Sequence, residues 1–369
     1  MKKPVIVPHG EVFDNALSVS QIITYLKCRR AWKYSYLDKI TKKYDRPYLT
    51  KGKLAHSGMQ AAMWCKHNWE ETFSGPCPIE DMVAAGKRSI NTEFEQYVVE
   101  LGVDFKNPKD EETMALCVDL NEMRIESLVV FERTLIEFGP DKWSVEIVQG
   151  FPAIELHYAL PIRGMHVMHG FIDLVAWEIA TNQIWEIDWK FKSQLAPGED
   201  EQFGLQHSAY CRALLLAGVN LTGSITFQSL NIMPTEPNIN KNGTISRAKI
   251  RITWDDYAKF CLQNGQDPEL YREEMEPKLA ETEWTRITRE YRSDFMMNNI
   301  WHNVVQSTAL EISSKRKGKR YPPTIGPMNC KSCSYMPLCQ AELRGYDMEY
   351  ILNTEYVSKV KVEEIESDV

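Results

Sequence analysis

Two acids and a lysine crowd one short stretch of this chain, Glu186-Ile-Asp188-Trp-Lys190, a short loop beyond Gly170-Phe-Ile-Asp173. Side chains of a strand alternate faces, so Glu186, Asp188 and Lys190 are expected on one face and Trp185, Ile187 and Trp189 on the other. A carboxylate and a lysine two residues apart can bind a divalent ion and orient a water beside it. Asp173, ending a neighbouring strand, would supply the second carboxylate. A hard cation such as Mg²⁺ takes few carboxylates, several waters and phosphate oxygens. It polarises a phosphate and acidifies a bound water, which Lys190 would position. Asp173 sits between Gly-Phe-Ile and Leu-Val-Ala, and a charge in so apolar a strand is costly without a cationic partner. Gln206 and Tyr210 share one helical face just downstream, and His56 stands in Lys51-Gly-Lys-Leu-Ala-His-Ser-Gly.

A second set of residues is sulfur-based. Cys330, Cys333 and Cys339 have the spacing Cys-x2-Cys-x5-Cys, and Cys28 lies about 300 residues earlier. Four thiolates suit either structural zinc or an iron–sulfur cluster, and the spacing fits both. Either group would tie the two ends of the chain together and restrict the unfolded ensemble, by a few kcal/mol in loop-entropy models. A structural staple is therefore the expectation, rather than electron transfer. Of the nine cysteines, Cys65, Cys77, Cys117, Cys211 and Cys261 lack ligand spacing and read as small apolar residues.

The elements that must position these groups follow from pattern. Ser18 is placed to cap a helix running into Cys28, and a second helix is expected over 31–36. The stretch 54–140 is rich in Ala, Met, Glu and Leu and reads as helical, broken at Pro76, Pro78 and Pro108. Strand patterns occupy 145–148, 154–160, 169–175 and 184–190. A helix over about 200–217 is closed by Gly218. Strands are expected at 224–230 and 249–253, with Asn242-Gly243 favouring a tight reversal between them. Helices are expected through 254–311 and loops around the C-terminal cysteines. The sum is an α/β chain, a mixed sheet with helices on its faces. One domain would cover 1–369, with a helical insertion at 57–140, cysteine-bearing segments at 18–36 and 322–345, and a flexible acidic tail at 355–369. Trp64, Trp69, Phe73 and Tyr97 in the insertion read as core, with base stacking as the alternative.

Of the 369 residues, 43% are apolar and 25% charged, ordinary for a globular chain, and the net charge is −8. That balance carries no global nucleic-acid signal. Its distribution does: ten Lys or Arg fall between Lys27 and Lys53 against Asp38 and Asp45, and a second basic run is Lys315-Arg-Lys-Gly-Lys-Arg320. Such runs are the footprint of local phosphate contact, or else a solvated charged face. No apolar run approaches the roughly 18 residues of a membrane span. The N-terminus lacks a signal peptide's apolar core, so the expectation is a cytoplasmic protein without membrane contact. No Gly-x-x-x-x-Gly-Lys-[Ser/Thr] loop is present, which argues against an intrinsic helicase motor.

Taken in order, Gly52-x-x-x-His56, Gly170-Phe-Ile-Asp173, Asp188-x-Lys190 and Gln206-x-x-x-Tyr210 resemble the RecB-like branch of the PD-(D/E)XK nucleases. The cysteine layout is similar to its iron–sulfur members, the AddB nuclease domain and the CRISPR-associated RecB-like exonucleases. The resemblance spans roughly 18–60 and 145–340. It implies a restriction-endonuclease-like fold and a Mg²⁺- or Mn²⁺-dependent exonuclease acting on single-stranded DNA or duplex ends in recombination, repair or phage-type DNA processing. It implies His56, Asp173, Asp188 and the main-chain carbonyl of Trp189 as metal ligands and Lys190 as the catalytic lysine. Gln206 and Tyr210 would help place the DNA backbone. Cys28, Cys330, Cys333 and Cys339 would hold a [4Fe–4S] cluster. DNA is the implied partner, with a separate helicase or recombination protein as a second. Arg29 stands where family members often have proline, and Glu186 is an extra acid on the catalytic face. A nuclease-fold DNA-binding or assembly protein with weak or no catalysis is the alternative reading, and a redox sensor a third.

Overall fold

The computed structural model describes residues 5–8, 11, 13, 16–43, 47–73, 75–105, 107–163, 166–196, 204–315, 320–331 and 333–358. Its centre is a mixed sheet. In chain order the strands are β1 (Val5–Ile6), β2 (Ala16–Ser18), β3 (Ile40–Lys42), β4 (Trp143–Val145), β5 (Ile147–Val148), β6 (Phe151–Pro152), β7 (Ile154–Ile162), β8 (His166–Glu178), β9 (Gln183–Lys192), β10 (Leu221–Leu230), β11 (Thr285–Glu290) and β12 (Tyr356–Ser358). The central order is β1-β7-β8-β9-β10-β11, with β2 and β4 also on β8. The β9–β10 and β2–β8 pairs are parallel, and the other pairs of this sheet are antiparallel.

Helices cover both faces. The first six are α1 (Val19–Lys27), α2 (Arg29–Trp32), α3 (Pro47–Thr72), α4 (Ile79–Glu100), α5 (Glu111–Phe138) and α6 (Leu205–Ala217). Ser18 caps α1 by accepting from the Gln21 N–H at 3.1 Å, as its position suggests. Gly218 ends α6 with φ 94°, a left-handed conformation that glycine adopts without strain. One sheet face packs Ile172 and Val175 against Ile22 of α1, Leu214 of α6 and Trp301. The other packs Trp185, Ile187 and Trp189 against Met59 of α3, Ile90 of α4 and Phe131 of α5. Each large side chain fully buried this way contributes about 1.5–3 kcal/mol. A Cβ added at Gly58 or Gly86 would run into the Phe131 ring, so two glycines let α3 and α4 close on α5.

The stretch expected as an insertion is thus one layer of the main core. Its first helix starts at Pro47, not near residue 57, and carries His56 in mid-length. Three local expectations are corrected. Residues 249–253 form no strand; Thr253 instead caps the helix Trp254–Gln263 by accepting from Asp256 N–H at 3.1 Å. Residues 285–290, expected as helix, form edge strand β11, whose residues pair with Ser224–Ser229 of β10. The C-terminal cysteines lie in or beside two short helices, Pro327–Lys331 and Met336–Arg344, not in a plain loop. Tyr356–Ser358 pairs with β3, and Glu355 ends the preceding helix. The rest of the expected tail, 359–369, lies outside the described residues, as does 316–319 of the second basic run. No helix among the described residues is long and apolar enough to cross a membrane.

Candidate functional site

The site forms where the sheet splits. On one flank of β8, β2 pairs with residues 167–169 and β9 with 174–178. On that flank, among the described residues, 170–173 of β8 have no ladder partner, while β7 pairs with 170–172 on the other. Asp173 stands at the upper end of this gap, and its Oδ2 accepts from Trp189 N–H at 3.0 Å. On the other flank, Glu155 of β7 has φ 49°. That left-handed residue shifts the alternation: Ile154 and Leu156 pack into different cores, as do Ile172 and Leu174 across from them. A non-glycine residue held there marks local strain of the kind found at functional sites.

Four carboxylates result, three of them nearly or wholly without exposure: Asp173 at 8%, Asp188 and Glu186 at 0%. His56 bridges two of the acids, with Nε2 2.9 Å from Asp173 Oδ2 and Nδ1 3.4 Å from Glu155 Oε1. Lys190 Nζ sits 2.8 Å from each oxygen of Asp188. Gln206 Nε2 donates to Asp188 Oδ1 and to the Tyr210 hydroxyl, both at 3.0 Å, and its Oε1 accepts from Lys190 at 3.3 Å. Gln206 and Tyr210 are thus brought to the site by one turn of α6. Glu186 faces α6 as expected, but it is engaged elsewhere. Its Oε2 lies 2.6 Å from His207 Nδ1, and His207 Nε2 lies 2.8 Å from Thr226 Oγ1. Trp189 reaches the site through its backbone, while its indole packs in the core, edge-on to His56 at 6.0 Å between ring centroids.

Electrostatics follow from burial. Burial opposes the charge on Asp173, but His56, Lys190 and the Trp189 N–H outweigh it and hold its pKa below the usual value. Burial and the neighbouring Asp173 charge push Glu155 up to about 7. Burial raises Asp188 despite Lys190. For His56 burial acts downward, but Asp173 and Glu155 prevail and raise it to about 9. Lys190 is likewise raised, Asp188 and Asp173 overcoming its desolvation. So much negative charge out of water calls for a cation. Among the described residues, His56, Glu155 and Asp173 are the set of ligand atoms within 4.8 Å of one another. Sequence reasoning missed Glu155 and His207; the only signal for Glu155 was a lone acid in an apolar strand. The cleft in front of these groups holds about 1060 Å³ and is lined by His56, Glu155, Lys190, Lys53 and Lys192, with Glu93 opposite.

The sequence pattern of the PD-(D/E)XK nuclease superfamily matches residues 16–340. The chain belongs to that superfamily. No curated protein matches it significantly. PD-(D/E)XK nucleases are metal-dependent enzymes, and His56, Glu155 and Asp173 at the split offer this chain a possible metal site. Two further features of this PD-(D/E)XK chain are its cysteines and its basic run. Cys28, Cys330, Cys333 and Cys339 line one cavity of about 210 Å³. Cys28 Sγ accepts from Thr324 N–H at 3.4 Å. Burial pushes the Cys333 and Cys339 thiols up, with neighbouring thiols adding and Lys27 or Arg30 opposing. The basic run 27–53 is partly engaged within the protein, while its Lys53 lines the cleft at the split. Arg29, Arg30, Lys33, Lys42 and Lys51 each meet a carboxylate, on Glu311, Glu342, Asp38, Glu355 and Glu126. Much of it holds the chain ends together.

Proposed function

We propose that the chain is a Mg²⁺- or Mn²⁺-dependent DNA exonuclease of the RecB-like, iron–sulfur branch. It would digest single strands or duplex ends in recombination, repair or phage-type processing. The observation that carries this reading is the convergence, at one split in the sheet, of His56, Asp173, Asp188 and Lys190 from three separate elements. His56, Asp173, Asp188 and the Trp189 carbonyl would hold the ion, with Glu155 close enough to join them. A bound divalent ion would supply electrophilic activation of the phosphate and acidify a water. Lys190, held by Asp188 and Gln206, can orient that water and offset charge building on the phosphate. Gln206 and Tyr210 fix the lysine's direction. Glu186, committed to His207, leaves the ligand role to its neighbours.

The four cysteines fit a cluster. They converge on one pocket with a mainly apolar wall, and the Cys333 and Cys339 thiols, disfavoured as anions by burial, are what a positive metal core stabilises. Four thiolates suit zinc as well, and the likeness of the cysteine layout to the iron–sulfur members of the RecB-like branch favours the cluster. We therefore assign iron–sulfur over zinc, in a structural role. The test of the whole reading is digestion of end-labelled single-stranded and duplex DNA by anaerobically purified protein with Mg²⁺, Mn²⁺ or EDTA, beside Asp188→Ala. Metal-dependent cleavage lost in the variant is expected. No cleavage by cluster-loaded wild type would replace this reading with that of a DNA-binding or assembly protein.

A further inference from the structure

A second groove, of about 660 Å³, runs between α3 and α4. It shares Ser57 and Gln60 with the catalytic cleft, so the two are continuous. His56, Gln60, Trp64, Asn68 and Thr72 follow one another at four-residue steps along α3, a single stripe on that helix. At about 1.5 Å per residue the stripe is about 24 Å long. Trp69 and Phe73 extend it, with ring centroids 4.5 Å apart. Phe73 is 54% exposed, whereas Trp64 and Trp69 are half-buried, Trp64 with one side packed against the core and the other lining the groove. Among the described residues that line the groove, Arg88 is the one charged side chain, and the others are aromatic, amide, hydroxyl or small. The acids at this end of α3 are turned to other partners: Glu70 pairs with Lys66, and Glu71 lies 3.4 Å from His67 Nε2.

We infer that this groove binds an unpaired nucleic-acid strand and leads it to the metal centre. The inference rests on the nuclease reading for the identity of the ligand. Exposed aromatic faces stack on bases of any sequence, and only an unpaired strand offers free base faces to them. A lining with one arginine and no carboxylate suits a polyanion. Continuity with the catalytic cleft favours the substrate over a protein segment as occupant. At a stacked spacing of about 3.4 Å the stripe accommodates no more than about seven nucleotides. Trp64, Trp69 and Phe73 would act as a stacking platform, and Arg88 as a phosphate contact.

The test separates groove from centre. Binding of labelled dT12 and of a blunt duplex is read by fluorescence anisotropy with Ca²⁺ in place of Mg²⁺. Hydrolysis of bis(p-nitrophenyl) phosphate with Mn²⁺, a substrate too small to reach the groove, reads the centre alone. Phe73→Ala with Trp64→Leu is expected to weaken dT12 binding ten-fold or more, to change duplex binding less than two-fold, and to leave the small-substrate rate at the wild-type value. Should Trp64→Leu fail to fold, Phe73→Ala alone, on an exposed ring at a helix end, is expected to weaken dT12 binding about five-fold. Affinity within two-fold of wild type in a folded variant would overturn the inference. A wild-type dimer that these substitutions dissociate in sedimentation would overturn it too, naming a second copy as occupant. Groove-dependent dT12 binding by a wild type that hydrolyses nothing would leave the groove standing and remove the nuclease reading.

Discussion

The backbone N–H of Trp189 donates to Asp173 Oδ2 at 3.0 Å, so a side chain fills the place that a neighbouring strand's carbonyl fills elsewhere along β8. Asp173 is thereby aimed before any ion arrives. Asp173→Asn keeps an acceptor for Trp189 while removing one buried charge. We expect metal-free protein with a lowered Tm, because His56 and Lys190 lose a partner charge, and no Mn²⁺-induced stabilisation. A ligand at 100 times its Kd stabilises by about 2.7 kcal/mol, easily seen in thermal scans with and without Mn²⁺. A wild-type Mn²⁺ shift in this variant would remove Asp173 from the ligand set.

Lys190 touches both oxygens of Asp188 and the amide of Gln206. On the proposed reading its charge serves the reaction more than ion binding. Lys190→Met should lower the cleavage rate about 10²- to 10³-fold, as removal of one preorganised electrostatic group does, and keep the Mn²⁺ shift. A rate within ten-fold of wild type would exclude the catalytic role.

Glu186 and His207 form a fully buried pair. Glu186→Ala leaves buried His207 without its carboxylate partner, still bonded to Thr226, and should destabilise by about 3–5 kcal/mol. Denaturant unfolding reads this directly. If Glu186 were a ligand instead, Mn²⁺ affinity would fall as well; it is expected to hold.

Cys330→Ala should abolish the visible absorbance of the anaerobically purified protein and lower Tm sharply. Iron content and Tm both at wild-type values would refute the cluster assignment.

Gly86 lies in mid-helix, where alanine ordinarily adds about 1 kcal/mol of helix stability. Here a methyl would overlap the Phe131 ring. Gly86→Ala should therefore destabilise, by about 1–3 kcal/mol, and Phe131→Leu in the same chain should recover part of the loss. A more stable Gly86→Ala protein would show that α4 can shift away from α5.

The alternation along 185–190 was readable because a strand's period is local, and the structure keeps it, tryptophans and isoleucine to one core and acids and lysine toward α6. Glu155 was not readable. Its place at the site depends on a left-handed backbone turn that no neighbouring residue advertises. The engagement of the basic run was also hidden, because the acids that meet Arg29, Arg30 and Lys42 come from Glu311, Glu342 and Glu355, near the other end of the chain. Strand β11 was missed because its outward arginines, Arg286 paired with Glu283 and Arg289 with Glu178, give it a helix-like charge density.

The pairing of β3 with β12, and the Thr324–Cys28 contact that spans 296 residues, make the last segments of the chain part of its first. Contacts so distant in sequence form late, since loop closure must precede them. During synthesis the acids and lysine of the split are made long before the C-terminal segments that close the frame emerge from the ribosome. A chain cut short before residue 330 would lack the clasp, so a truncated nuclease would be marked for proteolysis by its own unclosed ends.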